Sequence, residues 1–193
     1  MNLTSRREKP LILGVGNLLM GDEGIGVVAI RHLEARGFGA HAALVDGGTS
    51  GFHLLSLFSE GQRLILIDAA TDGKPTGTVS LIRPRYSDDF PPTLTAHDIG
   101  LKDLIESAAL LGNWPEVDLI TISIGDLGLL TLELSPAVAA ALPQIEALVK
   151  DCLEKHAAGP GISTLAGAGG QFCGDRGWNI SANAPTAGFG KPG

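Results

Sequence analysis

From residue 11 to residue 154 the chain alternates short apolar runs with segments of helical period, and that alternation leaves few architectures open. LILGV at 11–15 reads as a buried strand that stops at glycines. Residues 24–36 carry Ile25, Val28, Ala29, His32 and Leu33 at helical spacing, and Gly37 closes the helix. A second strand at 42–45 is ended by Asp46-Gly47-Gly48, and a short helix is expected at 50–59. RLILI at 63–67 is the strongest strand, ended by Asp68. Further strands are expected at 77–82 and 117–124, an amphipathic helix at 98–111, and a long helix at 136–154 with Ser135 as its cap and Pro136 in its first turn. Such alternation predicts an α/β domain, with helices on both faces of a mostly parallel sheet. In such sheets ligands sit outside the carboxyl ends of the strands, so chemistry should gather where strands stop.

The body of the chain, 1–156, has the length of one domain. After it, residues 157–193 hold 10 of the chain's 27 glycines and show no sustained period, which predicts a flexible or loosely docked tail with Phe172, Trp178 and Phe189 as its few docking groups. A net charge of −7 argues against sequence-independent nucleic-acid binding. No apolar run approaches the ~20 residues of a membrane span. The basic start, MNLTSRREKP, is not followed by an uninterrupted apolar stretch, so a cytoplasmic protein is expected, with a monomer favoured. Two cysteines, Cys152 and Cys173, make neither a disulfide framework nor a four-thiolate metal site.

The first strand stops at Gly14-Val15-Gly16-Asn17. The third glycine of a dinucleotide fingerprint is replaced by Leu19, and Asp22-Glu23 would repel a pyrophosphate at the helix start. Asp22 reads as the N-cap of the helix that follows. Asp46 with Gly47, Gly48 and Thr49 reads either as a turn in which the carboxylate bonds nearby amides or as an open stretch where a ligand can approach the backbone. Asp68 reads as a cap or as a group facing a cleft. His97 lies in a loop before the helix at 98–111, and the other histidines have no assigned role. Together Glu23, Asp68 and His97 offer two carboxylates and one imidazole at one sheet edge, a donor set suited to a borderline divalent metal with open positions. Neither HExxH nor G-x-S-x-G occurs, and neither cysteine lies at a strand end, so zinc-helix and nucleophilic Ser or Cys chemistry have no support.

GVGNLLMGDEGIG at 14–26, DGGTSG at 46–51, LILIDA at 64–69, AHDIGL at 96–101 and LSPAV at 134–138 resemble, in this order, the hydrogenase maturation protease family. The resemblance spans roughly residues 10–155. It implies a three-layer αβα sandwich around a twisted, mostly parallel sheet. It implies an endopeptidase that removes the C-terminal extension of a [NiFe]-hydrogenase large-subunit precursor once nickel has been inserted. The site residues it implies are Glu23, Asp68 and His97, which would engage nickel carried by the precursor. Asp46, Gly47, Gly48 and Thr49 are then expected to lie along the substrate. The alternative is a chaperone that checks the metal without cutting. SIGD at 123–126 departs from the family's often proline-containing loop there and is expected to border the cleft.

Overall fold

A computed structural model describes residues 9–49, 63–84, 110, 116–125 and 130–157. Five strands form one sheet: β1 (Leu11–Val15), β2 (Ala43–Gly48), β3 (Arg63–Ala70), β4 (Val79–Ile82) and β5 (Glu116–Ser123), in the order β2-β1-β3-β5-β4. β1, β2, β3 and β5 are parallel to their neighbours, and β4 runs antiparallel to β5 at the edge. Three α-helices are described: α1 (Ile25–Ala35), α2 (Pro136–Ala139) and α3 (Leu142–Ala157). The expected helix at 50–59, that at 98–111 apart from Leu110, His97 and the stretch 158–193 lie outside the described residues.

Side chains alternate between the faces of a strand, which sorts the core. On one face Ile12, Ile65, Ile67, Ile120 and Ile122 pack with Ile25, Ala29, Ile30 and Leu33 of α1 and with Ile145, Val149 and Cys152 of α3. On the other face Leu11, Leu13, Val15, Leu64, Leu66 and Leu119 are equally buried. A sheet buried on both faces is the layered α/β arrangement that the alternation predicts.

Three boundaries depart from the sequence reading. β2 runs through Asp46-Gly47-Gly48 and β3 runs three residues past Ile67, so Asp68 is inside a strand rather than at its end. It sits in register with Thr121 of β5, and ladder hydrogen bonding outweighs the break in hydropathy. The helix expected at 136–154 is two helices. Pro143 has no N–H for the carbonyl of Ala139, and its ring crowds that carbonyl. The chain therefore turns at Ala140-Ala141, where Ala141 N–H bonds Val138 O at 3.0 Å, three residues back.

The amino end of the sheet is held by an ionic cluster. Asp118 of β5 is 2% exposed and accepts from Arg63 Nε at 3.0 Å and Arg83 Nε at 2.6 Å. Burial raises its pKa, but the hydrogen bonds and charges of Arg63 and Arg83 outweigh that and hold the carboxyl below its ordinary value. A depressed carboxyl contributes stability above its unfolded value, near ~4, and loses it as pH falls through the folded value. Burial and the adjacent Asp118 push the Cys152 thiol up, so it stays protonated at neutral pH. Asp118→Ala leaves two arginines facing a buried gap. It is expected to cost about 3 kcal/mol by urea unfolding at pH 7, with the difference from wild type shrinking below pH 4.

Candidate functional site

β1 leads to β2 on one side, and the chain then crosses back to place β3 on β1's other side. The strand order reverses between β1 and β3, and a doubly wound sheet opens its ligand crevice at the carboxyl ends of two such strands. Both carboxylates singled out in the sequence are delivered there. Asp68 is on the last part of β3, one residue beyond the Gly14–Ile67 pair of the β1–β3 ladder. Glu23 is in the 3-10 turn Gly21–Gly24 that follows β1, and this turn packs on β3. Glu23 is 1% exposed and Asp68 0%.

Glycines make this convergence possible. A Cβ on Gly26 would lie 2.2 Å from Val15 O and 2.4 Å from Ile67 O, so the first turn of α1 rests on the backbones of β1 and β3. A Cβ on Gly16 would lie 1.9 Å from Glu23 O. The turn bearing Glu23 is thereby seated against the end of β1, level with Asp68.

Asp22 does not cap α1, contrary to the sequence reading. The 3-10 turn intervenes, the N-cap position falls to Gly24 without a side-chain bond, and Asp22 Oδ1 accepts from Ser135 N–H at 2.6 Å. A turn of three residues per revolution rotates neighbours by about 120°, so adjacent acids part company. Glu23 is buried, while Asp22 ties the motif to the start of α2, where Ser135 Oγ accepts from Val138 N–H. Removing a charged acceptor from this part-buried bond by Asp22→Ala is expected to cost about 1.5–3 kcal/mol in a urea melt.

Asp46 lies at the same end of the sheet but on the other face from Asp68. Leu44 packs in the core with α1, Asp46 shares its side of β2, and its carboxylate lies 3.8 Å from Arg31 of α1. Its Oδ1 accepts from Gly48 N–H at 3.0 Å, closing the turn that was one of its two readings. Gly48 has φ +50, and its carbonyl accepts from Gly16 N–H at 2.9 Å. Gly47 fills the irregularity between β1 and β2, against Leu13 and Val15, and Thr49 is exposed.

Thr121 and Ser123, both buried, share Asp68's face; Thr121 is not among the sequence candidates, and Ser123 enters there only as the start of SIGD. Their signal is in the sequence: in ITISI at 120–124 every second residue is hydroxylic, which marks one polar side at the end of an apolar strand. His32, given no role, bridges helices: its Nε2 lies 2.8 Å from Glu146 Oε2 of α3, and Arg36 Nε donates to the other oxygen at 3.1 Å.

Two carboxyl groups buried at one end of a sheet are hard oxygen donors, fit to share a divalent cation or to hold a water's proton. Among the described residues no group of three His, Cys, Asp or Glu side chains is close enough to hold a metal alone. The expected third donor, His97, is outside them.

A family model described as hydrogenase maturation protease matches residues 27–151. The hydrogenase expression/formation protein HupD of Rhodobacter capsulatus is 38% identical over 114 residues, covering 56% of this chain and 53% of that protein. The hydrogenase 2 maturation protease of Escherichia coli is 31% identical over 148 residues, covering 75% of this chain and 86% of that one. The structure of the hydrogenase maturating endopeptidase HybD from Escherichia coli superposes with a TM-score of 0.68 at 28% identity, covering 77% of this chain and 93% of that one. The match to the Rhodobacter HupD spans about half of that relative's length.

Proposed function

This chain belongs to the hydrogenase maturation protease family, and from that premise we propose that it is an endopeptidase of [NiFe]-hydrogenase large-subunit precursors. It removes the precursor's C-terminal extension after nickel insertion, acting in the cytoplasm as a monomer. The observation that supports this reading is that Glu23 and Asp68 are both almost wholly buried at the end of the sheet where the strand order switches between β1 and β3.

Nickel is here part of the substrate, held by the precursor's cysteines. Glu23, Asp68 and His97 engage it and so set the scissile bond in register, which converts metal recognition into positioning. One of the two carboxylates takes a proton from water as the water oxygen attacks the scissile carbonyl carbon. The C–N bond breaks, that proton passes to the leaving amine, and the products are a new carboxyl terminus and a freed peptide. Asp46, Gly47, Gly48 and Thr49, at the same end of the sheet, flank the bound chain.

His97→Ala tests the ligand assignment. It is expected to leave the thermal melt within about 0.5 kcal/mol of wild type, because the sequence puts His97 in a loop and loop substitutions usually shift stability little. Processing of a nickel-loaded precursor is expected to stop. Normal processing by this variant removes His97 from the site.

A further inference from the structure

Among the described residues, Asp68 has one polar side chain immediately beside it on its own face of the sheet. Residues two apart on a strand share a face, and so do residues in register on neighbouring strands. Along β3 these neighbours are Leu66 and Ala70, and on β1 the residue after the Gly14–Ile67 pair is Val15. On β5 the partner of Asp68 is Thr121. Thr121 is 2% exposed, yet no hydrogen bond joins its hydroxyl to another described residue. A buried hydroxyl without a bond costs stability, so packing alone would be served at least as well by valine. The row continues onto β4, where Ser80 is in register with Thr121. Ser80 Oγ accepts from Lys74 Nζ at 3.0 Å, and Lys74 pairs with Asp72 at 2.9 Å. An ammonium offers only donors and a carboxylate only acceptors, so the row runs from a fixed donor at Lys74 to an acceptor at Asp68.

We infer that Thr121 is a positioning residue for Asp68: its hydroxyl donates to the carboxylate once the precursor is bound and holds it in its working orientation. This rests on the function proposed above. Paired side chains on neighbouring strands have Cβ atoms about 4.5–5.5 Å apart, so a hydroxyl and a carboxylate turned towards each other come within bonding reach. Hydrogen bonds of an active site are often long or poorly aligned in the free protein and tighten only when substrate binds. A buried, unbonded hydroxyl beside Asp68 is a donor kept for that state. The row gives the bond its direction. Ser80 already accepts from Lys74, so its own proton turns towards Thr121, and the Thr121 proton is left for Asp68. The free protein is a little less stable for carrying threonine here, and the loaded one gains a fixed carboxylate.

The test compares Thr121→Val, which keeps the shape and removes the hydroxyl, with Thr121→Ser, which keeps the hydroxyl. Both are made in the full chain and read by thermal melts of the free protein and by steady-state cleavage of a nickel-loaded large-subunit precursor. Thr121→Val is expected to melt at or above wild type while kcat/KM falls about 10–100-fold, as loss of a hydrogen bond to a charged group implies. The fall is expected in whichever constant, kcat or KM, Asp68→Asn changes. Thr121→Ser is expected to stay within about threefold of wild type. Normal cleavage by Thr121→Val overturns the inference and leaves the protease reading standing. Equal losses in the two variants overturn it as well, since keeping the hydroxyl then restores nothing. A Thr121→Val chain that melts clearly below wild type, or does not fold, makes the hydroxyl part of the packing and overturns it too. So does a loss confined to the constant that Glu23→Gln changes, because Thr121 then acts through the other carboxylate. A wild-type chain that neither cuts nor binds the precursor removes the protease reading, and the inference with it.

Discussion

Gly26→Ala is expected to give a protein that no longer assembles the wild-type sheet edge. One added methyl carbon would lie 2.2 Å from a β1 carbonyl oxygen and 2.4 Å from a β3 carbonyl oxygen. Both obstacles are backbone in the two central strands of the motif, so neither can step aside as a flexible side-chain tip would. Overpacking a core typically costs about 1–3 kcal/mol, and a collision with two ladder strands belongs at the top of that range or beyond. Against a typical stability of about 5–15 kcal/mol, that fraction is large. A urea unfolding curve should show a clearly lowered midpoint, and any folded fraction should process precursor poorly because α1 and the Glu23 turn move together. A wild-type midpoint contradicts the close approach of α1 to the sheet.

Asp68→Asn and Glu23→Gln are expected to abolish processing while keeping shape. Each replaces a buried carboxyl group with an amide of nearly the same volume. For the carboxylate that takes the proton from water, the loss in kcat is about 10²–10⁴-fold. The other variant should fail mainly through weaker binding of the nickel-bearing precursor, seen as a raised KM. The two together separate base from ligand. Near-normal kcat and KM in both variants contradict any role for this pair, provided that far-ultraviolet circular dichroism is unchanged.

The alternation of periods was enough to read the α/β sheet, because buried parallel strands and amphipathic helices write different spacings into a sequence. Strand ends were harder. Asp68 interrupts the apolar run RLILI, yet β3 continues because backbone pairing with β5 does not depend on hydropathy. The break between α2 and α3 was written in Pro143, but the apolar positions on either side keep a helical spacing and mask it. Asp22 and Glu23 are adjacent acids with the same local propensity. Only the 3-10 turn, fixed by Gly16 and Gly26 packing from other elements, sends one to Ser135 and buries the other. Asp46 shares the strand-end position of Asp68 but lies on the α1 side, because side chains at one end of a sheet divide between its two faces. Thr121 is legible as part of a period of two that ends in the Ser123 of SIGD, but a strand-end search for acids and histidines passes over its hydroxyl.

Intact-mass spectrometry of large-subunit precursors, incubated with this protein with and without nickel in the precursor, tests the central claim most directly. One C-terminal cut that appears only on the nickel-loaded form is the result expected of carboxylates that register a bond through the substrate's metal. Stable co-elution with a loaded precursor and no loss of mass contradicts it and points to a chaperone that checks the metal without cutting.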